Sequence, residues 1–565
     1  MKLKHPLLVL ACCAALVLLS ACSSKADRLQ SGLDKGAEFV RLADWDKANV
    51  EVRNVLQIDP KNAQAYFIAG QIAEGKREVQ RAFGSYNKAV ELQPGHLEAK
   101  VGVARIYLLA GQPDKSEETL TEVLGADPRH VGARTIRAAL AASKGDVAGA
   151  VAQAKVLIAE QQAAPVDASM LLAGLYANQG DEAAALAAIE AALKGQPKNL
   201  SLLRVAAQIA GSASAPSLQD KAVAFYQRAT EQAPKNIELW NAWAVHHGRR
   251  KELDRAEAVL RASVRAQPDD SQRTLALLGF LTAQRGHEVA EKAFLAAVED
   301  RPRDTTLRFG LVNLYRAAER PADARRVLQE VIDSNKDAPG LLARNQLAAD
   351  HWSRGRVEQA RTLVGEVLAA SPRDGAALVL RGRMLLADGD ARGAVIDLRA
   401  AARDQPGSPE IAGLLAQAHR RAGEPQLARE VLSEAVKFKP DNPELRLLLA
   451  ADLADTKDFK AAGAEIDNAI KAAPRNLRAY DVKAQLALVQ KDPASAEKVF
   501  VAYKTQFPSE PAGFLRLGQF YADQKKYDAA LKEYDAASRL APQAPGPMLS
   551  AIGLLIGQRR FDDAN

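Results

Sequence analysis

The sequence predicts an all-α chain, a solenoid of helix pairs, on three observations. Prolines recur at steps of 34, as Pro60, Pro94 and Pro128 and again from Pro372 through Pro406, Pro440, Pro474 and Pro508 to Pro542. Small residues keep that register: Ala82, Ala150, Ala222, Ala256, Ala290, Ala360, Ala394, Ala428, Ala462, Ala496 and Ala530 each stand 12 residues before a proline or its expected place. Within Pro511–Ala544, Phe514, Leu517, Gly518 and Tyr521 share one helical face, and Tyr527, Ala530, Tyr534 and Ala537 share another. Such spacing buries one stripe of a helix. The proline that follows stops the helix, because it lacks an N–H and clashes with the preceding turn.

Composition agrees with helix packing. Hydrophobic residues make up 48% of the chain but aromatics only 5%, so alanine and leucine supply much of the packing surface. The formal charge of +7 comes from 76 basic and 69 acidic residues. Removing Lys2 and Lys4 with a leader lowers it to about +5. This small excess gives little support for nucleic-acid binding, which needs a concentrated basic face, and no nucleic-acid partner is expected.

The chain opens with Lys2, Lys4 and His5 ahead of the apolar run Leu7–Leu19. That run is shorter than the roughly 20 residues of a spanning helix and has the anatomy of a secretory signal. It ends in Leu19-Ser20-Ala21-Cys22, which resembles a bacterial lipobox. The resemblance implies a signal peptide over residues 1–21, cleavage before Cys22, and lipidation of its thiol and new amino group. Several acyl chains there would anchor the protein stably, since each buried methylene adds about 0.8 kcal/mol. Ser23, by resemblance to enteric lipoproteins, implies the outer membrane with the array in the periplasm; inner-membrane anchoring stays open. Cys12 and Cys13 fall in the discarded segment, leaving Cys22 alone. Intramolecular disulfides, CxxC redox chemistry and cysteine-rich zinc sites are thereby excluded.

Residues 22–28 form the lipidated cysteine and a short polar tether, and the repeats run from Leu29. Units close near Pro60, Pro94, Pro128, Pro165, Pro197, Pro234, Pro268, Pro302, Pro339, Pro372, Pro406, Pro440, Pro474, Pro508 and Pro542, with Pro165 and Pro339 displaced by about three residues. That makes fifteen units and a partial one over 545–565. Tyr86, Tyr226, Leu260, Phe294, Leu398, Leu432 and Phe500 fill the space between the small positions. Gly111, Gly145, Gly180, Gly355 and Gly389 mark the turn inside a unit, where positive φ is cheapest for glycine. From Leu29 to the C-terminus this pattern resembles the tetratricopeptide repeat (TPR). The resemblance implies a right-handed α-solenoid superhelix in which each unit touches mainly its neighbours.

Between Ala210 and Lys221, the segment GSASAPSLQD is expected to be a flexible loop on one rim. At the far end, Pro545–Gly557 reads as another first helix, and Phe561 and Ala564 begin a second before the chain stops at Asn565. Without a polar capping helix, a longer natural protein is expected.

Motifs for chemistry are missing. There is no P-loop, no GxSxG elbow and no HExxH; after His287-Glu288, Glu291 stands where a second histidine is needed. His246 and His247 are adjacent and point about 100° apart on a helix, so they read as packing residues beside Trp240 and Trp243. His351 and His419 occupy places where the repeat carries a large packing residue. In a chain that is 26% charged, carboxylate pairs read as solvated helix faces. No catalytic residue, cofactor or metal is expected, and the chain reads as a non-enzyme.

The repeat resemblance implies that first helices line a concave groove. Carrying the register across selects Arg204, Gln208, Asn241, Arg249, Asn313, Arg316, Asn345, Trp352, Arg383, Gln417, Arg420 and Arg421. Arginine and asparagine suit peptide carbonyls, carboxylates and sugar hydroxyls. Arg383, Arg420 and Arg421 are expected to form a basic patch, and Arg383→Ala with Arg420→Ala is expected to weaken partner capture while changing stability by less than about 0.5 kcal/mol. The family's carboxylate clamp of lysines and asparagines is not reproduced in full. The expected function is a lipid-anchored scaffold holding protein partners or peptide segments. A lipobox before a long array also resembles the TPR lipoproteins of the PEP-CTERM/exosortase system, which implies polysaccharide-assembly components as partners and a role in exopolysaccharide assembly or export. Alternatives are an adaptor for outer-membrane protein or pilus assembly, and a substrate-recruiting module of an enzyme whose catalytic domain lies beyond Asn565.

Overall fold

The computed structural model describes residues 25–161 and 164–561. The signal segment and Cys22 lie outside the described residues. Among those described there are 31 helices and no strand. In chain order the helices alternate as first and second members of fifteen repeats, from Lys25–Arg41 with Trp45–Ile58 to Pro511–Asp523 with Tyr527–Leu540, and Pro545–Gly557 follows. None is long and apolar enough to cross a membrane.

The helix ends follow from local chemistry. First helices are capped by side chains that accept a backbone N–H of the first turn, as Asn62, Asn199, Asn236, Asp374 and Asn442 do. In most repeats the second helix ends two residues before the closing proline; Pro165 instead N-caps the next first helix, and Pro339 lies in the first turn of Ala338–Ser353. A proline pushes the residue before it out of the helical region, and Asp59, Gln93 and Asp127, ahead of Pro60, Pro94 and Pro128, are all extended. The turn glycines Gly111, Gly145, Gly180, Gly355 and Gly389 do adopt positive φ. So, in other repeats, do Arg77, Lys251, Lys457, Lys491 and Lys525, so the turn favours glycine without requiring it.

The chain divides into two compact units, Met1–Gly310 and Leu311–Asn565. Within each, successive helices pack on one another, and several first helices also touch that of the following repeat, as Lys25–Arg41 does with Ala63–Gly75 and Pro409–Arg421 with Pro443–Asp455. The small positions make this approach possible: all eleven alanines of the register named above are fully buried. In the Met1–Gly310 unit, Tyr86 is clamped between two glycines of consecutive first helices. A Cβ on Gly70 or on Gly102 would overlap opposite edges of its ring. The Tyr86 hydroxyl donates to Glu74 Oε2 (2.7 Å), and Arg105 Nη1 donates to Glu74 Oε1 (3.0 Å).

The same unit buries an arginine completely. Arg273 Nη1 donates to the Ser263 carbonyl (3.1 Å) and hydroxyl (3.0 Å), Nη2 to the Pro234 carbonyl (3.0 Å), and Nε to Asp270 Oδ2 (3.2 Å). One planar side chain thus joins the turn after Pro216–Gln232, the helix Leu253–Ala266 and its own helix Ser271–Arg285.

The expected loop at GSASAPSLQD is corrected. The first helix continues to Ser212 and the next begins at Pro216, leaving only Ala213, Ser214 and Ala215 between them. Pro216 takes the first helical position, where its missing N–H costs nothing. Ser214 is tied down, its N–H and Oγ donating to the Glu182 carboxylate at 2.8 and 3.2 Å.

Candidate binding sites on the helix faces

Two clefts lie on the faces made by first helices, one in each compact unit. In Met1–Gly310, Arg204 and Gln208 are exposed on the helix Leu200–Ser212 and line a cleft of about 420 Å³ with Tyr226, Asn236 and Glu238. In Leu311–Asn565, Asn345, Trp352 and Arg383 line one of about 480 Å³ with Val379, Leu380 and Glu410. The structure therefore brings five of the twelve selected groove residues into two clefts. Of the others, Asn313 is exposed and Gln417 half-buried; Asn241 is half-buried and Arg249 exposed at its helix end. Arg316 donates to Gln346 Oε1 at 2.8 Å.

Asn345 is the distinctive group. It is only 9% exposed, and its Nδ2 donates to Asp374 Oδ1 at 2.9 Å. That carboxylate also caps the next first helix through the Ala377 N–H. A carboxylate only accepts, so the amide nitrogen must face it. Asn345 Oδ1 is then left buried without a protein partner in the wall of the cleft.

The expected basic patch is corrected at two of its three arginines, which pair with carboxylates, while the third is held by a backbone carbonyl. Arg383 Nη2 donates to Glu410 Oε1 (2.6 Å), and Arg421 Nη1 to the Leu386 carbonyl (2.7 Å). Arg420 Nη1 donates to Asp452 Oδ1 (2.8 Å), whose other oxygen takes Arg429 Nε (3.1 Å). Asp452 is only 3% exposed, and a buried acceptor that loses a partner costs roughly 1–3 kcal/mol. Arg420→Ala should therefore destabilise the helix Pro443–Asp455 by about that much, whereas Arg383→Ala should stay within about 0.5 kcal/mol. Amide hydrogen exchange across Pro443–Asp455 measures the difference, and equal protection in the two variants would refute it.

A third pocket, of about 570 Å³, opens between the second helices Pro216–Gln232 and Leu253–Ala266, floored by the first helix Ile237–Arg249. Its floor carries Trp240 and Trp243, stacked with centroids 6.0 Å apart and planes 25° apart. Trp240 Nε1 donates to the Pro234 carbonyl at 3.0 Å, and Trp243 Nε1 donates to His247 Nε2 at 3.1 Å. An indole nitrogen only donates, so His247 Nε2 accepts and its proton sits on Nδ1. That nitrogen faces Glu252 Oε2 at 2.6 Å, and Arg250 links Glu252 (3.0 Å) to Asp220 (2.7 Å). The bonds from His247 and Arg250 hold the Glu252 carboxyl below its usual range. Sequence reasoning placed these rings in the packing and missed the pocket. The available clue was spacing: two of the chain's four tryptophans lie three residues apart, and a histidine follows Trp243 by four.

Of the other histidines read as packing residues, His246 and His419 are buried and His351 is half-buried. His419 is buried, with Nδ1 on Glu424 Oε2 at 2.7 Å. His96, His246 and His351 are held below their usual value, with burial as the leading cause in each. The unfolded chain then takes up protons first as pH falls. The stability from these groups is present above the ordinary histidine value of about 6.5 and is lost as pH drops from there toward the lower folded-state values. The urea midpoint should fall between about pH 7.5 and about pH 5.5, a window that brackets the ordinary histidine value. His246→Gln should shrink that fall; an unchanged midpoint across the window would contradict the argument.

Comparison with known proteins follows this geometry. Family models described as tetratricopeptide repeat match residues 33–96, 281–339, 345–409 and 483–545, and also 73–140, 385–451 and 419–486, together more than half of the chain. The Bos taurus protein "BBSome complex member BBS4" is 28% identical over 122 residues, 22% of this chain and 23% of that relative, so the match spans about a quarter of the relative's length. A solved structure of Naa15/Naa10 bound to HypK-THB has 16% identity and a TM-score of 0.48, with coverage of 98% of this chain and 94% of that one. Yeast Tom70 has 16% identity and a TM-score of 0.33, covering 88% and 96%. No site residue is transferred from any of them.

Proposed function

This chain belongs to the tetratricopeptide-repeat proteins, and from that premise we propose that it is a non-enzymatic scaffold that holds an extended segment of a protein partner along its first helices. The observation that carries the reading is Asn345. Its buried Oδ1 lacks a donor, and a peptide N–H entering the cleft would supply one and relieve the cost of an unpaired buried acceptor. Trp352 adds apolar surface beside it, and the Arg383–Glu410 pair offers donors and acceptors at the edge.

The proposal includes an address. Lipid on Cys22 holds the array at the periplasmic side of the outer membrane, in the service of exopolysaccharide assembly or export. Leu19-Ser20-Ala21-Cys22 and the length of the array behind it support this part of the reading.

A photo-crosslinking residue at Val379, on the cleft wall, tests the scaffold in cells. The expected result is one dominant protein adduct, lost with Asn345→Leu while helix content is kept. Absence of any adduct, or one indifferent to Asn345→Leu, overturns the reading. Fractionation tests the address separately: wild type should sediment with outer membranes and Cys22→Ala should not.

A further inference from the structure

We propose that the pocket over Trp240 and Trp243 is a carbohydrate subsite that takes an uncharged pyranose ring of an oligosaccharide or polysaccharide. It shares no lining residue with the two first-helix clefts and does not depend on the scaffold reading.

The floor sets the ligand's shape. Both indole N–H groups are already committed, to the Pro234 carbonyl and to His247. What the floor offers outward is carbon and the electron-rich ring face. That face attracts weakly positive C–H groups presented by a flat surface, and the axial hydrogens of a pyranose make such a surface.

The rim sets its polarity. Gln227 Nε2 donates to Glu231 Oε1 at 3.1 Å, which places amide and carboxylate oxygens together at one side. Arg255 supplies donors at the other and leans on Glu252 Oε2 at 3.3 Å. Hydroxyl groups both donate and accept, so a ring carrying them can satisfy both sides. One carboxylate faces one guanidinium, so the rim favours neither sign. A quaternary ammonium would meet Arg255 and a phosphate would meet Glu231. A proline-rich strand would bring carbonyls that need donors, and the indole donors are already spent.

The site is pre-organised. Trp243 is fixed through His247, Glu252 and Arg250 to Asp220 on the preceding second helix, and Trp240 is pinned to the turn at Pro234. A ligand need not order these rings, which removes much of the entropic cost of binding. The small side chain of Ala258, exposed on the helix Leu253–Ala266, keeps the mouth open.

The test uses the full chain labelled with 5-fluorotryptophan and followed by ¹⁹F NMR. The probes are neutral hexasaccharides: β-1,4- and α-1,4-linked glucose, and β-1,4-linked N-acetylglucosamine. At least one is expected to shift the Trp240 and Trp243 resonances saturably while Trp45 stays fixed. Trp240→Ala should weaken that binding at least tenfold. Ala258→Leu, which fills the mouth from an exposed site and leaves the fold intact, should do the same. His247→Phe keeps the ring volume but frees the Trp243 N–H, so as a positioning change it should weaken binding by a smaller factor and broaden the Trp243 resonance. The proposal is overturned if no hexasaccharide gives a saturable shift, if Ala258→Leu binds like wild type, or if tetramethylammonium or hexaproline shifts the same resonances at lower concentration.

Discussion

Arg273→Met is expected to destabilise the seventh and eighth repeats by roughly 3–5 kcal/mol, the cost of breaking a buried charged network by removing one partner. The side chain has no exposed surface, and its guanidinium serves Ser263, Pro234 and Asp270 at once. Methionine fills much of the volume but donates nothing. The buried Ser263 carbonyl and hydroxyl would then lose their Arg273 donor, while the Pro234 carbonyl would keep only its bond from Trp240. Arg273→Lys should recover little, because an ammonium is a compact point charge and cannot reach acceptors spread around a planar fork. In a repeat array, stability is a sum of local and nearest-neighbour terms. The effect should therefore appear as lost amide protection in the helices from Ile237 to Asp300 and fade toward Lys25. Protection equal to wild type in those helices would refute the assignment of Arg273 as the joint between them.

Gly70→Ala should cost about 1–3 kcal/mol, the usual penalty for adding a methyl to a filled core. Alanine is the better helix former by up to about 1 kcal/mol, so propensity alone predicts the opposite sign. Packing decides, because the added Cβ meets the Tyr86 ring. The ring cannot retreat: Gly102 bounds its other edge, and its hydroxyl is fixed on Glu74. Burial, followed by the Glu74 charge, holds that phenol far above its ordinary pKa, so Tyr86 keeps the proton it donates to Glu74. Gly84 provides the contrast. It lies exposed in the helix Val79–Leu92 with open space where a Cβ would go, and Gly84→Ala should stabilise by about 0.5–1 kcal/mol. Thermal and urea unfolding of the two variants decides the matter; a shift of the same sign in both would sink the packing argument.

The repeat was legible because its determinants are local. A proline that pushes its predecessor out of the helix, an asparagine cap and an alanine every 34 residues act over a few positions, and their spacing survives in the linear chain. The clefts were half legible for the same reason: register put Arg204, Gln208, Asn345, Trp352 and Arg383 on first helices, and the structure groups them. Their pairing was not legible. Arg420 reaches Asp452 across 32 positions and Arg421 reaches the Leu386 carbonyl across 35, so donors that look spare in sequence are taken up by the adjoining repeat. The tryptophan pocket was hidden because it depends on what is small. Ala258 and Ala262 leave the space, and an alanine in an alanine-rich chain announces nothing. The loop at GSASAPSLQD misled because proline and serine mark both a turn and a helix start; the register of the following helix chose between them.

The clamp around Tyr86 also has a consequence for descent. Three positions in three successive helices, 70, 86 and 102, share one volume. A mutation that enlarges either glycine is tolerable only in a lineage where position 86 has already shrunk, and a return to tyrosine is then blocked until both glycines are restored. The trio is therefore expected to be inherited as a block, with glycine, aromatic and glycine lost or kept together. Where a ring meets one glycine, as Tyr534 meets Gly518 and Tyr503 meets Gly513, the same coupling ties two positions rather than three.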